Sequence, residues 1–423
     1  MATLVKASDM MEKPADNVFR SGRYIRQPTG YRAFIPNPLP PNPPLHISRG
    51  TQKLLSQADL ALGRLDGSVQ TLPNADLFVL MYVRKEAVLS SQIEGTQSSL
   101  SDLLDAEANV FSPGQPKDVN EVINYVRAMN HGLERLKQLP LSIRLIREIH
   151  AELLQGVRGA ELTPGEIRRS QNWIGPAGCT LAEASFVPPP PQEIAAALGN
   201  MESFLHTDTQ LPALLQIGLV HAQFETIHPF LDGNGRVGRL LITFFLCERG
   251  ILLQPVLYLS HYFKKNRTAY YEHLQAVHDA GAWEPWIDFF LRGIIEVSEE
   301  ATATARAILA MREQHRAAVT THLERAAANG HRVLEHLYLR PIVSIPGIQK
   351  FLGTTYPAAS NIIRRFVQLG ILRELTGNRR NRLFRYEPYI RLFDDTLRMR
   401  PAELTASGKE DKNPHSGRAT GPR

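Results

Sequence analysis

HPFLDGNGRVGR, residues 228–239, crowds a histidine, an aspartate and two arginines around three glycines. Its centre, GNGRVG, has the form G-x-G-x-x-G, the pattern of a dinucleotide-binding turn or a kinase phosphate loop. Neither use fits the surroundings. A dinucleotide turn needs a strand before the first glycine and an acidic residue about twenty positions on. What precedes Gly233 is LPALLQIGLVHAQFETI, whose Leu214, Ile217, Phe224 and Ile227 recur at helical spacing. A kinase loop needs a downstream lysine strand and an HRD-like segment, and neither is present. The stretch reads as helix, loop, helix.

The chemistry of such a loop is anion binding. Gly233-Asn234-Gly235 allows backbone N–H groups to point to one side, and the helix expected from about Arg236 adds its own free N–H groups and positive dipole end. Arg236 and Arg239, three apart, bring guanidinium forks suited to phosphate oxygens. Asp232 is a hard carboxylate suited to Mg²⁺ held with a substrate's phosphates. His228 is a base for neutral pH. Together they suit nucleotidyl or phosphoryl transfer. A second arrangement is open: His221, Glu225 and His228 at i, i+4 and i+7 share a helix face and form a three-ligand metal set, though without HExxH order. The plainer alternative is that His221 and Glu225 are satisfied by neighbours.

With every fixed position of HPFxDGNGRxxR present, the stretch resembles the signature of the Fic family. The resemblance implies a mainly α fold, a Fic-type helical bundle with a short β-hairpin flap. It also implies transfer of AMP from ATP, with Mg²⁺, to a Ser, Thr or Tyr hydroxyl of an unknown target protein and of the chain itself. His228 would deprotonate that hydroxyl and Asp232 would hold Mg²⁺. Gly233, Asn234, Gly235 and Arg236 would steady the α- and β-phosphates, with Val237 and Gly238 completing the nucleotide-binding run, and Arg239 would take the γ-phosphate. Phe230 would anchor the loop by packing. Tyr270 and Tyr271 resemble a tyrosine pair flanking the adenosine, the alternative being core packing. Residues 171–191 resemble the flap, with Asn172, Trp173, Ile174 and Gly175 docking the target peptide by strand-like pairing. Another donor nucleotide, or AMP removal, is admitted by the same resemblance.

LSSQIEGTQ, residues 89–97, places Ser90 and Glu94 on one helix face with Gly95 at the helix end. Alone it is an ordinary helix terminus. Beside the downstream signature it resembles the family's inhibitory motif, [S/T]-x-x-x-E-[G/N]. Glu94 would then compete with the nucleotide for Arg239.

The rest of the chain sets the organisation. Its 423 residues, 43% hydrophobic, suffice for two or three domains. No apolar run reaches membrane-span length, no export signal stands at the start, and the two cysteines, Cys179 and Cys247, match no zinc pattern. A cytoplasmic protein without membrane association is expected. Residues 1–140 form an N-terminal region, irregular over the first fifty and with an extended Phe34–Leu45 packed along a domain. An inhibitory helix is expected at about 74–95. Residues 141–297 form the catalytic core, and a helical connector covers 298–330. Residues 331–392 resemble a winged helix-turn-helix, with a tail at 393–423 disordered from about 401. From His331 on there are 17 Lys/Arg against 8 Asp/Glu, whereas the rest carries 31 against 34. The basic excess suggests an acidic partner. The alternative function is therefore DNA binding through Asn361, Arg364 and Arg365 of the recognition helix, with Arg379, Arg380, Arg382 and Arg385 meeting the backbone. A homodimer is among the expected assemblies.

Overall fold

The computed structural model describes residues 18–393 except 73–74, 109–115, 117, 177, 208 and 378–379. Arg379 and the tail expected to be disordered therefore lie outside the described residues. Two small antiparallel sheets accompany a mainly helical fold. The first corrects the irregular opening: β1 (Val18–Phe19), β2 (Gly22–Arg26) and β3 (Arg32–Pro36) pair in order, with Tyr24 opposite Phe34. The Pro-rich stretch continues from β3, and its Leu39 and Leu45 pack against the core.

A helix absent from the sequence reading follows, α1 (Arg49–Gln70), started by Ser48 Oγ accepting the Thr51 N–H at 3.0 Å. Leu54, Ala58, Leu62, Leu65 and Val69 form its buried stripe. The inhibitory-motif helix is α2 (Ala75–Ile93), and α3 (Leu100–Glu107) begins at a capping box between Ser99 and Asp102. The bundle continues with α4 (Val119–Leu136), α5 (Ile143–Leu153), α6 (Pro191–His206), α7 (Ala213–Ile227), α8 (Asn234–Glu248), α9 (Ser260–Lys265) and α10 (Arg267–Ala280). From Leu214 to Ile227 every residue of α7 is buried except the half-buried Glu225. A helix apolar on all sides belongs at the centre, and this one places the motif there.

Two expected helices are one. Nothing between Val297 and Ala301 breaks a helix, and α11 (Trp283–Leu323) runs for 41 residues with α1 packed along it. The connector boundary at 298 thus falls inside α11, and that at 331 inside α12 (Ala327–Leu339). The C-terminal module follows as β4 (Ile342–Ser344), α13 (Ile345–Leu352), α14 (Tyr356–Gln368), β5 (Arg373–Glu374), β6 (Leu383–Arg385) and α15 (Glu387–Arg391), its sheet ordered β4–β6–β5. On α14 the apolar Ala359, Ile362, Ile363 and Phe366 turn inward and leave Asn361, Arg364 and Arg365 exposed; Arg380 is exposed too. Two arginines expected to meet a nucleic-acid backbone are engaged elsewhere. Arg382 Nε donates to Glu374 at 2.7 Å, and Arg385 Nη2 donates to Asp105 of α3 at 2.8 Å.

Helices α4 and α8 approach so closely that a Cβ on Gly132 would stand 2.3 Å from the Phe244 ring. Overpacking a core costs about 1–3 kcal/mol. Gly132→Ala is expected to lower the free energy of unfolding by that amount, seen as a lower urea midpoint with the slope unchanged.

Candidate functional site

His228 ends α7 in the left-handed conformation (φ 49°), rare for a residue with a side chain. Such a backbone persists only where its surroundings over-determine it. Its N–H donates to Phe224 O at 3.0 Å, and its own carbonyl accepts from Arg168 Nε at 2.9 Å and Asn172 Nδ2 at 3.3 Å. Arg168 also donates to Ser170 O and Pro189 O, while its N–H bonds Pro229 O. Burial pulls this guanidinium down to about 10. Burial likewise pushes the His228 imidazole down to about 4, so it is neutral near pH 7. Nδ1–H donates to Glu225 O at 3.3 Å, which leaves Nε2 as the lone-pair nitrogen.

The loop closes on itself through Asn234. Its side chain donates to Phe230 O and accepts the Phe230 N–H, both at 2.8 Å. The Phe230 ring is fully buried and stacks on His150 at 3.8 Å, a burial worth about 1.5–3 kcal/mol. Phe230 is thus the packing anchor. Asn234, expected to steady phosphates, spends its side chain on the loop and offers only its backbone. Helix α8 begins two residues earlier than its sequence suggests, with Gly233 (φ 79°) as its N-cap. The first intrahelical bond joins Val237 N–H to Gly233 O, and the N–H groups of Asn234, Gly235 and Arg236 precede it. These three and the helix dipole make the anion cradle.

A carboxylate already sits there. Glu94 Oε1 lies 2.3 Å from where a Cβ on Gly235 would stand, and it accepts from Arg239 Nη2 at 2.6 Å. Arg239 is buried, and its Nε donates to Ser90 Oγ at 2.8 Å and its Nη2 to Ser90 O at 3.0 Å. Burial alone would raise the Glu94 carboxyl, but the adjoining Arg239 holds it below its ordinary value. The helix turns away after Glu94 because Gly95 adopts φ 98°.

Asp232 and Arg236 form the opposite wall. Asp232 Oδ1 accepts the Gly233 N–H at 2.6 Å and faces Arg236 Nη2 at 3.4 Å. Among the described residues no donor reaches its Oδ2, which lies 2.8 Å from a Cβ position on Gly159; a free carboxylate oxygen of this kind suits a hard cation. Arg236 is fully buried and pairs with Glu121 of α4 at 3.1 Å. It braces the loop where the sequence suggested a phosphate ligand. His150, which burial pushes down to about 4, donates from Nε2 to Asp232 O at 2.9 Å and accepts the Gly165 N–H at Nδ1.

Other expected residues part ways. His221 uses both nitrogens, donating to Gly238 O and accepting from Tyr270 O–H, each at 2.9 Å. It is therefore no metal ligand, and among the described residues no group of three or more His, Cys, Asp or Glu is arranged to hold a metal ion. Glu225, by contrast, is not satisfied: its Oε1 lacks a partner, packs against Gly238, and burial raises the carboxyl to about 7. Tyr270 is core, stacked on Phe263, whereas Tyr271 is 41% exposed. Val237 is likewise core. The flap is a single bridge, Ile174 to Phe186, with Phe34 N–H of β3 bonding Val187 O at 2.9 Å. Trp173 and Ile174 are exposed on it, and a Cβ on Gly175 would meet Cys179 Sγ. Asn172 faces inward instead, onto His228 O and Phe230 O. Arg168, His150 and Glu121 escaped the sequence reading. Nothing local separates buried Arg168 from Arg169, whose side chain is 90% exposed.

Residues 52–134 match the Fic/DOC family N-terminal region and residues 140–246 match the Fic/DOC family. The protein adenylyltransferase Fic of Aedes aegypti is 27% identical over 299 residues, 68% of this chain and 55% of that one. That of Drosophila willistoni is 30% identical over 173 residues, 40% of this chain and 31% of that one. The chain thus spans about half and about a third of these two relatives. A Fic family protein from Desulfovibrio desulfuricans G20 shares the fold, with a TM-score of 0.55 at 18% identity, covering 81% of this chain and 97% of that one.

Removing the Arg168 donors strands buried carbonyls, at about 1–3 kcal/mol for each acceptor left unpaired. Arg168→Met is expected to lower the denaturant midpoint accordingly. Amide exchange should quicken across residues 227–232 more than in α11.

Proposed function

We propose that this chain, whose residues 52–134 and 140–246 match Fic/DOC family models, transfers AMP from ATP to a hydroxyl side chain of a target protein and of itself, and that Glu94 holds it at rest. One observation carries the reading: an anion cradle at the start of α8 whose buried arginine, Arg239, is already paired with a carboxylate from α2. A triphosphate and Glu94 would compete for one guanidinium, that of Arg239. The intact Arg239 favours a triphosphate donor.

The transfer divides among residues placed above. His228 Nε2 takes the proton of the incoming hydroxyl, whose oxygen bonds to the α-phosphorus. The bond from that phosphorus to the bridging oxygen breaks, and pyrophosphate leaves. Backbone N–H groups of Asn234 to Arg236 face the charge that develops on the phosphate oxygens. Arg168 and Asn172 keep the His228 backbone in its left-handed turn, so the imidazole starts from one position. Asp232 Oδ2 would hold Mg²⁺, which neutralises phosphate charge when bound. The exposed edge at Trp173 and Ile174 would receive the target peptide.

Removing a general base costs about 10²–10⁴-fold. Glu94→Gly is therefore expected to raise self-modification above wild type, and the further change His228→Ala to abolish it, read by intact mass after incubation with Mg²⁺ and each nucleoside triphosphate in turn. The adduct mass names the donor; unmodified Glu94→Gly protein with all four would refute the reading.

A depressed imidazole also fixes the acid side of the pH profile. His228 stays unprotonated down to about pH 4, below the ordinary 6.5. The base is thus competent across the neutral range and is lost only as pH falls through that lower value. The rate of Glu94→Gly self-modification should show no acid limb centred near 6.5.

A further inference from the structure

Glu94 lies between two helices that also carry the C-terminal module. On α2, Tyr82 is buried, donates its O–H to Ala301 O at 3.2 Å, and meets the ring of Phe393 edge-on at 5.2 Å. Phe393 in turn packs edge-on against Tyr389 of α15, and α12 lies along the same helix. At about 1.5 Å per residue, Tyr82 and Glu94 are about 18 Å apart on one rigid rod. On α3, Asp105 accepts from Arg385 of β6 at 2.8 Å in a pair that is mostly buried on both sides. Arg385 Nε is buried without a partner, and Asp105 is its one ion-pair partner among the described residues.

The link between α2 and α3 is stiff. Gln92 Nε2 donates to Ser98 O at 2.9 Å, Thr96 N–H bonds Ser91 O, and Gln97 N–H bonds Asp118 at 2.7 Å. Beneath Ser90, Glu86 accepts from Tyr125 O–H at 3.1 Å and from Ser260, anchoring the same face of α2 in the core. Helix end, link and α3 are therefore one hydrogen-bonded piece. The module grips that piece from both sides of Glu94.

We propose that the C-terminal module is a regulatory domain that holds the α2–α3 piece on the active site, with Asp105 and Arg385 as positioning residues for Glu94. The ion pair keeps α3 seated on β6. A change in the module that withdraws Arg385 leaves Asp105 partly buried and uncompensated, which favours release of α3 and with it the carboxylate on Arg239. This rests on the adenylyl-transfer reading for its output, but the mechanical coupling is separate from it.

The test uses the full chain with Asp105→Arg, Arg385→Asp and the exchanged double variant. Amide exchange over residues 88–95 should quicken in each single variant and return to wild-type protection in the double. Self-modification should rise about 5–150-fold in the singles, the usual range for coupling between sites, and fall again in the double. Neither single should add to Glu94→Gly. If charge reversal prevents folding, Asp105→Asn carries the same exchange measurement. Unchanged exchange over 88–95 in folded variants overturns the proposal, as does a double variant that exchanges like the singles. Failure of Glu94→Gly to acquire any adduct would instead sink the transfer reading, while the exchange result still decides the coupling.

Discussion

A buried arginine beside the positive end of a helix requires an anion, and Arg239 at the start of α8 is such a cation. Its guanidinium and the unpaired N–H groups of the first turn add their fields in a site largely closed to water. Without Glu94, that desolvated charge keeps only its hydrogen bonds to Ser90 and the influence of the half-buried Glu225. Glu94 supplies the offset in the structure, and the α2–α3 segment is positioned to deliver it. The resting arrangement is therefore the electrostatically complete one. Under the proposed reading, a nucleotide would have to replace an anion that is already seated.

The loop before the helix answers a different constraint. It reverses the chain between two buried helices within six residues, His228 to Gly233, and gives His228 a backbone that side chains disfavour. Three braces make this sustainable, two from distant elements and one from the loop's own end: Arg168 on the carbonyls, His150 stacked on Phe230, and the Asn234 amide across the loop. Each brace is a buried polar group with its hydrogen bonds met, so the cost of burial is offset at the place where geometry matters most. Residues with the richest chemistry, Arg236 and Asn234, turn out to serve this framework.

What was legible in the sequence follows from range. The helix–loop–helix around residues 228–239 and the helix end at Gly95 rest on short motifs whose residue types local backbone demands, and the pairing of Glu94 with Arg239 was legible only through the family resemblance. The 22-residue α1 escaped because Gly50, Gly63 and Gly67 blur its stripe, which only packing along α11 makes decisive. Arg168, Glu121 and Arg385 were equally unreadable: a buried arginine and a solvated one are the same letter, and their partners lie 60, 115 and 280 residues away. Tyr270 shows the converse, since its partner His221 claims a side chain that the tyrosine pair suggested for the nucleotide.

Gly235 has a consequence of its own. The space a side chain would fill there holds a Glu94 oxygen, and Arg239 Nη1 stands 3.0 Å from the same point. One vacancy thus holds the carboxylate and borders the arginine that pairs with it. A methyl group at 235 would crowd the carboxylate and the guanidinium alike, so on the proposed reading restraint and nucleotide binding share this one position.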